Sequence, residues 1–320
     1  DYPDDSYTGI ADGDYHKKCI VRSNGVVENF ALGVEKATFI PLEGKDFMDP
    51  QYLSEEVDHS WFAYPDGTST LHPLDGVTDP KFTGPKSGTK EKWEYLDEDK
   101  KYSWIKSPTF KGKTAEVGPL AKYIVVYTKV KQGIITDPTW AESMMVRQID
   151  TVSQVLGVPT HVWMTTMVGR TACRGLDAQV ASNISQYFFD KLVANIKNGD
   201  TTVADTSKFE PNKWPKDAKG VGLVDAPRGG LGHWIHIKDG RSANYQCIVP
   251  STWNACPKTA ANEHGAYEDS MIDSHVKIAD KPLEILKVIH SFDPCLACAT
   301  HLYNKKGEKI VSVNTDALCK

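Results

Sequence analysis

The spacing of apolar residues predicts two long helices in the second half of the chain. Between Pro138 and Gly157 the apolar positions recur every three to four residues, as they do on one face of an α-helix. They are Trp140, Met144, Met145, Ile149, Val152 and Val155. Asp137 and Pro138 provide a predicted cap and a first-turn proline, and Gly157 a predicted stop.

The second predicted helix runs from about residue 169 to residue 197. Its apolar residues fall roughly in phase, and they are Leu176, Val180, Ile184, Phe188 and Ile196. Gly199 follows as a C-terminal stop signal. A third, shorter helix is predicted near 280–290, with Asp280 at its start. Two long helices in succession indicate a helical bundle.

Alternating and turn-rich segments predict small sheets beside these helices. An Asn-Gly pair at 24–25 lies between β-branched runs, which is typical of a short hairpin. Residues 45–118 contain many Pro, Gly, Trp and Tyr without a helical period, so they indicate loops and short strands. Residues 230–250 alternate on both sides of an Asp-Gly pair at 239–240 and predict a second hairpin.

These elements together predict an α+β fold that is helix-rich, with a core bundle of long helices, small peripheral β-sheets and extensive loops. Residues 1–120 would form a β- and loop-rich lobe. Residues 121–301 would form the helical bundle with its hairpin, and residues 302–320 a C-terminal extension.

Composition places the chain among folded proteins with an ordinary surface. Its 320 residues are 40% hydrophobic and 25% charged, which is enough for a real core and excludes a disordered protein. The formal net charge is −5 and the basic residues are dispersed, so no nucleic-acid partner is expected. No run of 18 apolar residues and no leader is visible, so neither a membrane span nor an export signal of its own is expected. The opening residue, Asp1, suggests a cut or split chain.

The strongest chemical signal is a cysteine pair near the end, in HSFDPCLACATH at 290–301. Pro294 disfavours helical backbone at Asp293, so the preceding helix must end there and leave Cys295 and Cys298 on a turn. Two thiols three apart can bind one soft metal, but a closed site needs about four donors. The other five of the seven cysteines are scattered, and no second Cys-x-x-Cys or spaced His pair exists. The pair is therefore half of a metal site or two ordinary thiols.

Two further segments place polar groups at turns. In DAPRGGLGHW at 225–234, Pro227 and the glycines after Arg228 could hold its guanidinium at a fixed point, although a plain exposed turn is the alternative. In CIVPSTWN at 247–254, Ser251 follows Pro250 at a strand end, where a serine often caps its own backbone. Cys173 is predicted to be a core residue. His233 and His236 are predicted to face opposite sides of a strand, which argues against a shared metal.

The segments APRGGLGHWIHIKDG, NYQCIVPSTWN and DPCLACATH, in this order, closely resemble the large subunit of nickel-iron hydrogenases. GPLAKYIVVYTKVKQG and VGRTACRGLDAQ are similar to inner segments of the same family, so the resemblance spans nearly the whole chain. The family's other cysteine motif, R-x-C-G-x-C, is absent. The sequence thus resembles only the C-terminal portion of that subunit, and the resemblance implies that a second chain carries the other two thiolates.

The resemblance implies a metal role for four residues. Cys295 would be a terminal nickel thiolate and the proton acceptor, and Cys298 would bridge nickel to an iron that carries carbon monoxide and cyanide. His301 and the carbonyl of Cys247 would be ligands of a nearby magnesium-type ion. Hydrogen would be split heterolytically at the nickel-iron centre.

The resemblance also implies the surroundings of the metals. Arg228 would lie over the open metal face, steered by Asp293, and both would serve catalysis. Pro227, Pro250 and Ser251 would line the cofactor pocket, with Ser251 donating a hydrogen bond to a cyanide.

The implied partners are the complementary N-terminal large-subunit chain, an iron-sulfur small subunit and a possible membrane cytochrome. Export with the small subunit would place the complex on the periplasmic side of the cytoplasmic membrane. In this family a protease normally removes the tail after the histidine that matches His301, so residues 302–320 mark either a precursor or a variant that works unclipped. The rival interpretations are an inactive structural relative of hydrogenases and a zinc-binding module.

Overall fold

The computed structural model describes residues 19–22, 25–83, 99–207, 209–272, 274–278, 281–295, 299–303 and 309–314. Its helices are α1 Pro119–Lys131, α2 Trp140–Leu156, α3 Thr160–Met164, α4 Met167–Lys197, α5 Pro250–Asn254, α6 Ala266–Met271 and α7 Leu283–Ser291. Its first strands are β1 Cys19–Arg22, β2 Gly25–Glu28, β3 Thr38–Pro41, β4 Leu53–Glu56, β5 Phe62–Ala63, β6 Thr70–Leu71, β7 Asp79–Pro80, β8 Ser107–Phe110 and β9 Ala115–Glu116. The later strands are β10 Asp217–Ala226, β11 Gly229–Lys238, β12 Arg241–Ile248, β13 Ala299–Tyr303 and β14 Lys309–Asn314.

The strands form several small sheets. The order is β3-β2-β1-β9 in the first, β6-β4-β8 in the second, and β10-β11-β12 in the third, while β5-β7 and β13-β14 are two-stranded. β1 and β2 pair antiparallel, which confirms the hairpin predicted around the Asn-Gly pair. The mixed helix and sheet composition is likewise confirmed.

Helix α1 is the central element of the larger core. Leu120, Tyr123, Ile124 and Val125 are all at most 1% exposed, so the helix is buried on several faces. It packs against α2, α4 and the first sheet, in a cluster that includes Ile149 of α2. A helix that is buried on several faces shows no clear helical period, and for that reason the periodic pattern did not predict it.

The start of α2 differs from the prediction. Its cap is Thr139, not Asp137: the Thr139 hydroxyl accepts from the Glu142 amide at 3.3 Å, and the Glu142 carboxylate accepts from the Thr139 amide at 2.9 Å. This reciprocal capping box satisfies two amide groups that the helix leaves open. Gly157 ends the helix in a left-handed conformation, as predicted.

Part of the predicted apolar face of α2 is wrong. Trp140 is 44% and Val155 80% exposed, while Met145 and Ile149 are buried. Val155 lies six residues after Ile149, and six steps of about 100° carry a side chain well away from the buried face. Helix α4 begins at Met167, two residues before the predicted start, and ends at Lys197 as predicted.

The third sheet contains the second predicted hairpin. β11 and β12 pair antiparallel and turn at Asp239 and Gly240, both with positive φ, which confirms that prediction. β10 adds a third strand that the sequence pattern did not predict. Trp234 of β11 is buried in a second core, and its indole nitrogen donates to the Phe47 carbonyl at 2.8 Å. Within the described part of the chain, none of the helices combines the length and the hydropathy of a membrane span.

Candidate metal centre

The turn after α7 carries the candidate ligand Cys295. Helix α7 ends at Ser291, before the cysteines, as predicted, but it begins at Leu283, after Pro282. Asp280, the predicted start, lies outside the described residues. Asp293 adopts a left-handed conformation, with φ of 55°, and this bend directs the chain to the exposed Cys295.

Two of the predicted ligands fall outside what the structure describes. Cys298 is not among the described residues, and His301 belongs to β13 with an undescribed side chain. Cys247 is an exposed residue of β12, opposite His233 of β11. The metal roles of these three residues therefore remain predictions.

Arg228 reaches the Cys295 turn from the tip of the β10–β11 hairpin. Its Nε donates to the Asp293 carbonyl at 3.0 Å and lies 3.2 Å from Asp293 Oδ2. Neither terminal nitrogen of Arg228 forms a hydrogen bond to a described residue. A guanidinium has five N–H donors, so this anchor leaves the terminal donors available for another group.

The hairpin tip is pressed against the chain that enters α1. Gly229 has φ of 126°, and a Cβ atom built there would lie 2.5 Å from the Gly118 amide nitrogen. The Asn254 amide fixes the same segment, because its Nδ2 donates to the Val117 carbonyl at 2.8 Å and its Oδ1 accepts from the Val117 N–H at 3.0 Å. Arg228 is thus held by close backbone packing next to it.

Replacing Gly229 with alanine should displace the hairpin tip. The methyl group has no space beside Gly118, and the backbone angle disfavours any residue with a Cβ atom. We expect a loss of about 1–3 kcal/mol in the free energy of unfolding. Urea denaturation measures this loss, with Gly222→Ala as the matched control because its Cβ would meet nothing within 4 Å. Equal effects of the two changes would contradict the close packing at Gly229.

Ser251 connects helix α5 to the Cys295 turn. Its side chain is only 8% exposed, and its Oγ accepts from the Cys295 N–H at 3.3 Å. The hydroxyl donates to none of the residues that the structure describes. Pro250 is the buried first residue of α5, and Pro227 is exposed at the hairpin tip beside Arg228. The structure therefore brings Ser251, Asp293, Arg228 and Cys295 together.

A buried ion pair that the sequence did not reveal supports the end of α7. Arg170 Nε lies 3.0 Å from Glu116 Oε1, and both side chains are 2% exposed. The Arg170 guanidinium carbon lies 3.9 Å from the centre of the Phe292 ring, and Nη1 is 3.4 Å from Ser291 Oγ. A charged residue inside an apolar, periodic segment was the available signal for a buried partner.

Other candidate side chains have structural roles. Cys173 is fully buried in the core, as predicted, and burial raises the pKa of its thiol well above the usual range, with Glu116 and Asp177 adding to the shift. His233 contacts the Tyr245 hydroxyl, and His236 Nε2 lies 3.0 Å from Asp217 Oδ1. The two histidines thus have different partners.

The donors present fit one side of a soft-metal site. Among the described residues no group of three or more His, Cys, Asp or Glu side chains could hold a metal ion. What they provide is one accessible thiol at Cys295, a fixed cation at Arg228 and a buried hydroxyl donor at Ser251. A thiol suits nickel, and a cation with a hydroxyl donor suits small anionic ligands, so these groups fit a nickel-iron centre as a partial donor set.

Comparison with known proteins identifies the class to which this fold and site belong. The model of the family described as nickel-dependent hydrogenase matches residues 7–301, so the chain belongs to that family.

Among its relatives, the chain is 46% identical over 270 residues to an uptake hydrogenase large subunit from Rhizobium leguminosarum bv. viciae, covering 84% of this chain and 43% of the relative. It is 40% identical over 311 residues to the Hydrogenase-1 large chain of Escherichia coli K12, covering 96% and 49%. The chain therefore spans about half the length of the curated relatives it matches.

Solved structures show the same fold at low sequence identity. The reduced, active form of the Ni-Fe-Se hydrogenase from Desulfomicrobium baculatum matches with a TM-score of 0.59 at 24% identity, covering 85% of this chain and 46% of that chain. The reduced state of the Ni-Fe-Se hydrogenase from D. vulgaris Hildenborough matches with a TM-score of 0.55 at 24% identity, covering 85% and 47%.

Proposed function

We propose that the chain is part of the catalytic large subunit of a nickel-iron hydrogenase that oxidises H2 reversibly. The observation that carries the proposal is the position of Arg228, which is anchored on Asp293 through Nε and keeps its terminal nitrogens available beside the Cys295 turn. Membership of the nickel-dependent hydrogenase family supports the same conclusion.

Cys295 and Cys298 would hold nickel as thiolates, and Cys298 would also bridge to an iron with carbon monoxide and cyanide ligands. His301 and the carbonyl of Cys247 would hold a magnesium-type ion close by. When bound, the nickel-iron centre supplies heterolytic cleavage of H2 and accepts two electrons. The other two thiolates would come from the complementary N-terminal portion of the large subunit.

The residues of this chain would orient the reaction and move the proton. Cys295 Sγ would accept the proton, because the exposed position of Cys295 on the turn makes its sulfur accessible to a bound substrate. The Arg228 guanidinium, fixed on Asp293, would stabilise negative charge that develops over the metal face, because a cation already in place needs no reorganisation when the charge forms. Ser251 would hydrogen-bond a cyanide ligand, because its Oγ already accepts from the Cys295 N–H and its own proton is left to donate.

The surface of α4 supports a complementary large-subunit portion as a partner. Phe188 and Ile196 were predicted to lie in phase with Val180, but they are 60% and 54% exposed. They share a stripe with Phe189 and Leu192, which are 60% and 56% exposed. Four large apolar residues on one helical face are costly in water and typical of a binding surface.

A groove of about 620 Å³ supports the same partner. It lies between the start of α4 and α7 and is lined by Met167, Ala172, Leu283 and Leu286, with Arg174 and Ser291 at its polar edge. The groove thus adjoins the Cys295 turn, where the missing thiolates are needed. Segments of the other half of the subunit would fill the groove and cover the stripe.

The remaining partners follow from the electron transfer that the reaction requires. Electrons would pass to an iron-sulfur small subunit and from there to a possible membrane cytochrome. We place the complex on the periplasmic side of the cytoplasmic membrane, exported with the small subunit.

Infrared spectroscopy of the purified complex tests the function. We expect absorption in the carbon monoxide and cyanide stretching region, with about one nickel and one iron per large subunit. Cys298→Ser should abolish the bands, whereas Cys19→Ser, outside the resembling motifs, should retain them. Zinc in equimolar amount without nickel would favour a zinc-binding module, and a metal-free complex would favour an inactive structural relative.

A further inference from the structure

A second arginine approaches Asp293 besides Arg228. Arg174, in the third turn of α4, has its Nε 3.9 Å from Asp293 Oδ2, and the same oxygen lies 3.2 Å from Arg228 Nε. One carboxylate thus lies between two guanidinium groups that come from different elements. Arg174 also lines the groove between α4 and α7.

Arg174 also binds the end of α7 directly. Its Nη2 donates to the Ser291 carbonyl at 2.8 Å. Ser291 is the last residue of the helix, so its carbonyl has no partner within the helix, and a cation there is favourable for the helix dipole. Arg174 therefore binds the last turn of α7 by a hydrogen bond and lies within ion-pair distance of the carboxylate two residues beyond it.

The backbone of Asp293 needs such support. A left-handed conformation is uncommon for a residue other than glycine, and it persists only where neighbouring contacts fix it. Here Asp293 donates its N–H to the His290 carbonyl at 3.0 Å and gives its own carbonyl to Arg228. Any rotation of Asp293 would move both the anchor of Arg228 and the turn that carries Cys295.

Arg170 cannot take over the task of Arg174. It lies one helical turn earlier on the same face of α4, and its side chain is directed to Glu116, Phe292 and Ser291 Oγ. The two arginines thus contact different groups at the end of α7. Arg170 contacts the buried Phe292 ring and the Ser291 hydroxyl, and Arg174 contacts the Ser291 carbonyl and lies near the Asp293 carboxylate.

We propose that Arg174 is a positioning residue, which acts through Asp293 to hold Arg228 and the Cys295 turn in place. The inference rests on the proposed hydrogenase function, and it assigns Arg174 no contact with substrate.

A double-mutant cycle in the assembled enzyme tests this inference. We expect Arg174→Gln to lower H2 oxidation per bound nickel about tenfold, because displacing an anchored group by a fraction of an ångström already has a large cost in rate. Asp293→Asn should have a larger effect, and the double variant should match Asp293→Asn alone. Arg147→Gln, an exposed arginine of α2, is the matched control and should retain full turnover.

Two readouts besides turnover separate positioning from a purely structural role. The carbon monoxide and cyanide bands should shift in the same direction in Arg174→Gln and Asp293→Asn and stay in place in Arg147→Gln. Hydrogen exchange of a peptide covering residues 291–295 should become about tenfold faster in Arg174→Gln, since the turn loses a fixed contact.

Each other result overturns the inference. If the losses of activity of the two single variants multiplied in the double variant, Arg174 would act independently of Asp293. Faster exchange with unchanged turnover and unchanged bands would reduce Arg174 to a cap of α7. Unchanged exchange would show that Arg174 does not hold the turn. Absence of the bands in the wild-type complex would overturn the proposed function itself, and this is seen before any variant is made.

Discussion

Replacing Arg170 with methionine should lower the free energy of unfolding by about 3–5 kcal/mol, the usual cost of removing one partner from a buried ion pair. Arg170 and Glu116 are both 2% exposed, and Arg170 Nε lies 3.0 Å from Glu116 Oε1. Methionine keeps most of the volume but removes the charge of Arg170 from beside the buried Glu116 carboxylate. The apparent free energy from urea denaturation, followed by circular dichroism, measures the change.

An exposed ion pair provides the matched control. Lys131 and Asp150 are 36% and 45% exposed, with 2.8 Å between Lys131 Nζ and Asp150 Oδ2. Water screens such a pair, so Lys131→Met should cost at most about 1 kcal/mol. Adding Glu116→Gln to Arg170→Met should recover part of the loss, because it removes the buried negative charge that Arg170 opposed. If Arg170→Met cost no more than Lys131→Met, the pair would not stabilise the fold as inferred.

Local chemistry made several elements predictable from the sequence. The Asp-Gly pair at 239–240 adopts positive φ at both positions, as a tight hairpin needs, and Gly157 ends α2 in the left-handed conformation. Pro294 correctly limited α7 to residues before the cysteines. In each case the signal lies within a few residues of the feature it determines.

Two errors in the predicted helices have different causes. The sequence contains the capping box of α2 as Thr139 and Glu142, but Asp137 directly before a proline is the more prominent capping signal. The second error concerns the apolar stripe on α4 that contains Phe188 and Leu192. The stripe is exposed, because nothing in the described part of the chain covers it. Periodicity identifies an apolar face, and it does not say whether the covering partner belongs to the same chain.

The residues of the candidate site also fall into those that the sequence identified and those that it did not. Arg228, Asp293 and Ser251 were identified because they belong to motifs, and the structure places them around the Cys295 turn. The supporting arginines of α4 were not identified. Arg170 and Arg174 meet their partners on α7 across 121 and 117 residues of sequence, and such pairing follows only from the packing of α4 against α7.

Replacing Arg228 with lysine should lower H2 oxidation about 100-fold and leave nickel and iron contents unchanged. Lysine keeps the positive charge, but its three donors share one nitrogen. An ammonium bound to Asp293 therefore cannot also place donors where the terminal nitrogens of the guanidinium lie. Arg228 uses Nε for the Asp293 carbonyl, at 3.0 Å, and for the carboxylate, at 3.2 Å. The expected loss is of the size found when one fixed donor is removed from a transition state. Hydrogen uptake normalised to nickel measures it in the assembled complex.

Arg241→Lys is the matched control, because Arg241 is an exposed arginine at the far end of the same sheet. Arg241→Lys should retain full uptake. This would show that the loss in Arg228→Lys depends on the position of Arg228 and not on an arginine-to-lysine change as such. The Michaelis constant for H2 should change little in Arg228→Lys, since the cation acts on charge that develops during cleavage and an uncharged substrate gains little from it beforehand. Uptake within about twofold of the wild type would mean that charge alone suffices at this position, and the anchored geometry of Arg228 would then have no catalytic value.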